Sequence, residues 1–154
     1  MSQNKKQLVV VQKIELSIPV EKTWEILKDF NGMSAWHPVV VSSKLIEGSN
    51  NQEGAVRLMS LQDGSSVTEK LLAYSDQSRS IAYGMVDGQL PVSDYVSVLT
   101  AHAAGQGSIV IWQGAFKRKD DNPAAGADDD AAKKIINAVY AIGLNGLKQR
   151  HDIQ

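Results

Sequence analysis

Residues 55–73, AVRLMSLQDGSSVTEKLLA, contain two apolar segments that are separated by a turn signal. A three-residue loop over 62–64, with Gly64 as the left-handed residue of a bulge, is typical of a β-hairpin. This loop pairs Arg57 directly with Glu69 across the two strands. The hairpin therefore predicts an opposite-charge pair at its centre.

The two charged side chains lie on strand faces that are otherwise apolar. Side-chain alternation places on these faces Ala55, Met59, Leu61, Val67, Leu71 and Ala73. A sheet normally turns such a face to the core, where an ion pair is costly to desolvate, so we predict a functional role for Arg57 and Glu69. Burial would raise the pKa of Glu69, whereas Arg57 would lower it. The alternative is a surface ion pair, and a two-residue loop at 63–64 would even separate the charges onto opposite faces.

Apolar segments on both sides of the hairpin extend it to a meander. Strands are predicted at 8–18, 39–47, 55–61, 67–74, 80–86, 94–102 and 108–119. Pro19 and the helical spacing of Val20, Trp24 and Leu27 predict a short helix, followed by another over 33–36. A loop over 117–127 precedes a long helix that Asp128, Asp129 and Asp130 open. The order predicts an α+β, helix-grip fold, in which a seven-stranded curved antiparallel sheet surrounds the C-terminal helix.

One helix cannot fill a curved seven-stranded sheet completely, so this arrangement predicts an internal cavity. The residues predicted to bind a ligand there are Met59, Leu61, Tyr83, Met85, Tyr95, Ser97, Trp112, Val139 and Gly143. The last two belong to the apolar face predicted for the C-terminal helix, which also includes Ile135, Ile136, Ile142, Leu144 and Leu147. The alternative is that the aromatic side chains fill the core, and for Trp112 or Tyr83 taken singly this is the stronger interpretation.

Length and composition predict one domain over 1–154, with residues 1–7 disordered. Hydrophobic residues make up 43% of the 154 residues, and the net charge is −1. Without a basic surplus, we expect no nucleic-acid partner. No apolar run approaches the ~20 residues of a membrane helix, so we expect no membrane insertion. The absence of cysteine excludes disulfides and fits a cytoplasmic location, and a homodimer is compatible with the sequence.

The histidines do not predict a metal site. His37, His102 and His151 are scattered without ligand spacing, and the aspartates of 128–130 lack the alternation of a calcium loop. We therefore predict no metal and no cofactor. His37 precedes the second strand near the expected pocket mouth, where it could be a catalytic base, but a packed or exposed loop histidine is the stronger interpretation.

Several segments, in this order, resemble the polyketide cyclase/dehydrase branch of the START-like (SRPBCC) superfamily. They are PVEKTW at 19–24, WHP at 36–38, GAVR at 54–57, VTEKL at 67–71, LP at 90–91, DYVSV at 94–98 and GLNGL at 143–147. Each is weak alone, and their common order and spacing carry the resemblance over residues 19–147. The resemblance implies a helix-grip fold with an internal site for hydrophobic ligands.

Within that superfamily, the middle of the chain looks most like plant abscisic acid receptors and lachrymatory factor synthase. The likeness to the receptors implies that a pocket is lined by Glu69, Tyr83, Tyr95 and Ser97. The likeness to the synthase implies that Arg57 and Glu69 are catalytic. The chain departs from the receptors in the short loop 61–65, in a proline at 91 instead of the latch arginine, and in valines at 39 and 40 instead of the pocket lysine. The resemblance thus predicts a pocket and not its ligand.

Three classes of function follow from these observations. The first is binding of a small hydrophobic or amphipathic ligand, with affinity from the apolar face and orientation from Arg57, Glu69 and the hydroxyls. The second is a cofactor-free cyclase, dehydratase or isomerase, in which Glu69 moves a proton and Arg57 stabilises negative charge. A protein-interaction module is the third. In an enzyme the two side chains should converge on open cavity, whereas in a plain binder they can be locked together.

Overall fold

The computed structural model describes residues 5–122 and 128–152. Its strands are β1 (Leu8–Leu16), β2 (Val40–Glu47), β3 (Val56–Leu61), β4 (Ser66–Ser75), β5 (Ser80–Gly88), β6 (Val92–Ala104) and β7 (Gly107–Arg118). They form one antiparallel sheet in the order β1-β7-β6-β5-β4-β3-β2. The helices are α1 (Val20–Leu27), a 3-10 helix (Phe30–Ala35) and the long α2 (Asp129–His151). The predicted α+β helix-grip fold is therefore confirmed.

The central hairpin has the predicted register. Arg57 pairs with Glu69 across β3 and β4, and Met59 pairs with Val67. Gly64 has φ +87°, the left-handed conformation that the three-residue loop requires. Both charged side chains consequently point to the interior, where Arg57 is 1% and Glu69 4% exposed.

Some predicted boundaries and faces differ from the structure. β1 ends at Leu16 instead of residue 18, and the second short helix spans Phe30–Ala35 instead of 33–36. A bulge in β4 at Leu72 moves Ala73 off the inner face, which reverses the parity predicted for that position. On α2, Ile135 and Ile142 are exposed, while the tyrosine at position 140 is buried. Simple alternation cannot anticipate an inserted residue, and apolar residues spread around much of a helix do not define its buried side.

Small residues allow α2 to lie close to the rest of the protein. A Cβ added at Gly143 would lie 2.5 Å from Cδ2 of His37, and one added at Gly146 would overlap Pro38. A Cβ added at Gly114 of β7 would overlap the hydroxyl of Tyr140. Gly143 and Gly146 therefore allow α2 to approach the segment before β2, and Gly114 allows Tyr140 of α2 to approach β7.

The ends of the chain are only partly described. Residues 1–4 of the segment expected to be disordered, and 123–127 of the predicted loop, lie outside the described residues. Lys5 donates a hydrogen bond to the carbonyl of Lys119 and forms an ion pair with Asp121. Among the described helices, none combines the length and the apolar character needed to cross a membrane.

Candidate functional site

Arg57 and Glu69 form a buried ion pair on the inner face of the sheet. The Nε and Nη2 groups of Arg57 donate hydrogen bonds to the same oxygen, Oε1 of Glu69, at 3.1 and 2.7 Å. The adjacent strands present the two side chains directly opposite each other, so hairpin register alone brings them together.

The remaining contacts of Arg57 fix its guanidinium group. Nη1 donates to the backbone carbonyl of Phe30 in the 3-10 helix. The guanidinium carbon lies 4.1 Å from the ring centroid of Phe30 and 4.7 Å from that of Tyr83, so aromatic faces flank the cation. The N–H of Phe30 is in turn bound by Oδ1 of Asn51 at 2.9 Å. Each nitrogen of Arg57 thus already donates to the protein.

Glu69 differs from Arg57 in having one uncommitted atom. Among the described residues no hydrogen bond reaches its Oε2, and no fully buried side-chain nitrogen or oxygen lacks a partner. It follows that Oε2 is accessible from the cavity, which Glu69 lines. Burial raises the pKa of Glu69, and the charge and hydrogen bonds of Arg57 oppose this shift. A neutral Glu69 would leave the buried guanidinium cation unpaired, so the contact supports the ionised carboxylate.

A cavity of about 50 Å³ lies beside the ion pair, between the sheet and α2. It is lined by Met33, His37, Val39, Val40, Met59, Leu61, Val67, Glu69, Tyr83, Leu90, Tyr95, Trp112, Ile136 and Val139. At ~10–15 Å³ per water, this space holds about four water molecules. The walls are largely apolar, and Glu69 is the one carboxylate among the described residues that line them.

Aromatic hydroxyls and an indole form a polar network behind the cavity. Nε1 of Trp112 donates to the hydroxyl of Tyr83 at 3.0 Å and to Oγ of Ser97 at 2.7 Å. The hydroxyl of Tyr140 lies 2.9 Å from Oγ of Ser97 and also bonds that of Tyr95. The rings of Trp112 and Tyr140 are stacked, with their centroids 4.2 Å apart, and this contact holds α2 against β7. Burial raises the pKa of Tyr83 and of Tyr95 well above 10, so all these hydroxyls stay neutral.

His37 is a buried part of the cavity wall. Its Nε2 lies 2.9 Å from the carbonyl oxygen of Val139, and its Nδ1 accepts from the N–H of Val39 at 3.2 Å. These contacts assign the hydrogen to Nε2 in a neutral ring. Burial lowers the pKa of His37 to about 4, and the charges of Arg150 and Arg57 act in the same direction. Both ring nitrogens are occupied, as expected for a packed histidine.

The structure brings most of the predicted site residues to this cavity. Those that line it are Met59, Leu61, Glu69, Tyr83, Tyr95, Trp112 and Val139. Four others do not belong to the lining: Arg57, Met85, Ser97 and Gly143.

Each of these four has a structural reason for its position. Arg57 is enclosed by Glu69 and two aromatic rings, and Ser97 is bonded to the indole of Trp112. The sulfur of Met85 lies over Gly88, 3.0 Å from the position of an added Cβ. Gly143 is covered by the ring of His37.

The sequence prediction did not assign several lining residues. Val67 was placed on the correct face but not assigned to the site, and Ile136 was placed on the apolar face of the helix. Met33 lies in the 3-10 helix, and Val39, Val40 and Leu90 lie at strand ends or between strands, so strand alternation carries no signal for these four. The contact of His37 with α2 follows from tertiary structure alone. In the described parts of the chain, no group of three or more acidic, histidine or cysteine residues is arranged to hold a metal ion.

Comparison with known families and sequences identifies a family and a similar curated protein. The family model described as polyketide cyclase/dehydrase and lipid transport matches residues 7–152. The abscisic acid receptor PYL6 of Arabidopsis thaliana is 30% identical over 103 residues, which are 65% of this chain and 47% of the receptor. The match thus spans about half the length of that relative.

Solved structures resemble the whole fold. A protein of Bacillus thuringiensis has a TM-score of 0.81 and 28% identity, with 92% of this chain and 97% of that one covered. The protein XoxI of Bacillus cereus also has a TM-score of 0.81, with 27% identity and coverage of 92% and 93%. Ginseng major latex-like protein 151 has a TM-score of 0.77 at 14% identity, covers 96% and 99%, and supports the fold alone.

Proposed function

The chain belongs to the polyketide cyclase/dehydrase and lipid transport family, and we propose that it binds a small, mostly apolar ligand in the cavity between the sheet and α2. One observation carries the proposal: Oε2 of Glu69 is accessible from a cavity whose walls are otherwise largely apolar. Small-molecule sites commonly combine apolar walls with a few polar groups at fixed positions. Affinity would come from the walls and orientation from Glu69.

The size of the cavity implies that its walls move when a ligand enters. About 50 Å³ is less than an apolar molecule of several carbon atoms needs. Met33 and Met59 line the cavity, and unbranched methionine side chains adapt readily to a new neighbour. Leu61 and Leu90 are only partly buried, so they lie where the cavity approaches the surface. We expect these four side chains to rearrange around a ligand.

The geometry of the ion pair supports binding over catalysis. A cofactor-free cyclase, dehydratase or isomerase would need Arg57 to reach a substrate oxygen. Its three nitrogens instead donate to Glu69 and to the carbonyl of Phe30, and aromatic rings cover its faces. This locked arrangement is the one expected of a binder.

Native mass spectrometry tests the proposal, first on the protein as purified and then with added octanol. We expect a non-covalent one-to-one complex. The substitution Met59→Trp, which fills the cavity, should weaken octanol binding by at least about tenfold, because the site loses the volume that the ligand needs. Leu58→Trp is the matched control, since Leu58 is the neighbouring residue on the exposed face of β3.

Three results would contradict the proposal. They are the absence of any complex, equal binding by the Met59→Trp variant when its circular dichroism is that of the wild type, and an equal loss of binding in both variants.

A further inference from the structure

The cavity offers no cation to a ligand. Among its described lining residues there is no lysine and no arginine. The nearest guanidinium, that of Arg57, is directed to Glu69 and Phe30 through all three nitrogens. His37 is neutral, with its Nε2–H donated to the carbonyl of Val139. A ligand carboxylate would therefore enter a site where nothing compensates its charge.

The cavity does offer a free acceptor. Oε2 of Glu69 belongs to an ionised carboxylate, which can only accept hydrogen bonds. The hydroxyl of Tyr83 is instead engaged with Trp112 and Ser97 in the network behind the cavity. A ligand group that donates a hydrogen bond would satisfy Glu69. An alcohol or phenol carries such a donor without a charge.

Resting on the proposed function, we infer that this site selects uncharged ligands that donate a hydrogen bond, such as alcohols and phenols, and rejects carboxylates. The donor satisfies Oε2 of Glu69, and the apolar part replaces water along the hydrophobic walls. A carboxylate loses its hydration, gains no cation and meets the negative charge of Glu69. An ether of the same size loses the bond to Glu69 and leaves that buried acceptor unpaired.

Three matched probes test this selectivity on the wild-type protein by isothermal titration calorimetry at neutral pH. They are octanol, its isomer methyl heptyl ether, and octanoate. We expect octanol to bind at least about tenfold more tightly than octanoate and several-fold more tightly than the ether. Octanoate binding as tightly as octanol would overturn the charge argument, and equal binding of the ether would overturn the donor argument.

The result also separates this inference from the proposed function. If none of the three probes binds, or if Met59→Trp binds them all as well as the wild type, the cavity is not a ligand site and both proposals fail. If the probes bind through the cavity without the expected order, only the selectivity is wrong.

The variant Glu69→Gln provides a second test. The amide keeps the shape of the side chain but leaves the charge of Arg57 uncompensated, so octanoate should now bind more tightly than octanol. Glu47→Gln makes the same chemical change on the exposed end of β2 and should leave the wild-type order unchanged. An unchanged preference in folded Glu69→Gln would overturn the inference. The comparison of probes on the wild type stands even where the variant does not fold.

Discussion

The imidazole ring of His37 occupies the space that a side chain at Gly143 would need. A Cβ at position 143 would lie 2.5 Å from Cδ2 of His37 and 2.8 Å from Cζ3 of Trp112. One turn earlier on the same helix, the carbonyl of Val139 receives the hydrogen bond of His37. The missing side chain therefore allows a loop histidine, a strand tryptophan and α2 to meet at the wall of the cavity.

Substitution of Gly143 should disturb this meeting point. Gly143→Ala gains up to ~1 kcal/mol in helix propensity, but it forces His37 and Trp112 apart at a cost of ~1–3 kcal/mol. We expect a net loss in the free energy of unfolding, measured in urea. Asn145→Ala, on the exposed side of α2, should leave stability within ~0.5 kcal/mol of the wild type. A stabilised Gly143→Ala protein would mean that His37 moves aside freely.

Stability should fall in acid because His37 is buried in its neutral form. The pKa of this group is lowered from 6.5 to about 4, chiefly by burial. Between these pH values the unfolded chain takes up a proton at His37 and the folded chain does not. The contribution of His37 to the free energy of unfolding is thus present above about pH 6.5 and is lost, by up to ~3 kcal/mol, as the pH falls toward 4.

A comparison with His37→Gln isolates this contribution. The wild type should lose more unfolding free energy between neutral pH and about pH 4.5 than the variant does, because only the wild type has His37. The carboxylates titrate in both proteins, so their contribution cancels in the comparison. His102→Gln serves as the control, since His102 is exposed on β6. Parallel pH profiles of the wild type and His37→Gln would show that His37 is not held neutral by the fold.

The ion pair of Arg57 and Glu69 should show strong coupling in a double-mutant cycle. Arg57→Met or Glu69→Leu alone leaves an unpaired buried charge, and each should cost ~3–5 kcal/mol of unfolding free energy. The double variant should cost clearly less than the sum, because no charge remains in the core. Urea unfolding of the four proteins provides the measurement. Additive losses would indicate that water or a rearranged side chain replaces the missing partner.

The hydroxyl of Tyr140 should stabilise the interface between α2 and the sheet. Tyr140→Phe leaves the hydroxyls of Tyr95 and Ser97 without a shared partner, and we expect a loss of ~1–3 kcal/mol in thermal or urea unfolding. Gly114→Ala should destabilise the wild type more than it destabilises Tyr140→Phe, because its new methyl group overlaps that hydroxyl. An equal effect of Gly114→Ala in both backgrounds would argue against this contact.

The cavity shows where prediction from the sequence stops. Alternation along β3, β5, β6 and β7 assigned Met59, Tyr83, Tyr95 and Trp112 to the interior, since one buried face repeats every second residue. The same reasoning gave Met85 and Ser97 the role of ligand contacts. Alternation separates inside from outside, but it does not tell which inward side chains face a cavity and which face their neighbours.

The sequence by itself determined the number and order of the strands, the final helix and the pairing of Arg57 with Glu69. Those features depend on turn residues and on the periodicity of apolar residues, and both can be read from one segment of the chain at a time. Only the tertiary structure decided that Arg57 is enclosed while one oxygen of Glu69 stays accessible, and that His37 rests against Gly143. These contacts are made between residues from distant segments of the chain. They are determined by the close packing of side chains in the folded protein and not by local sequence preferences.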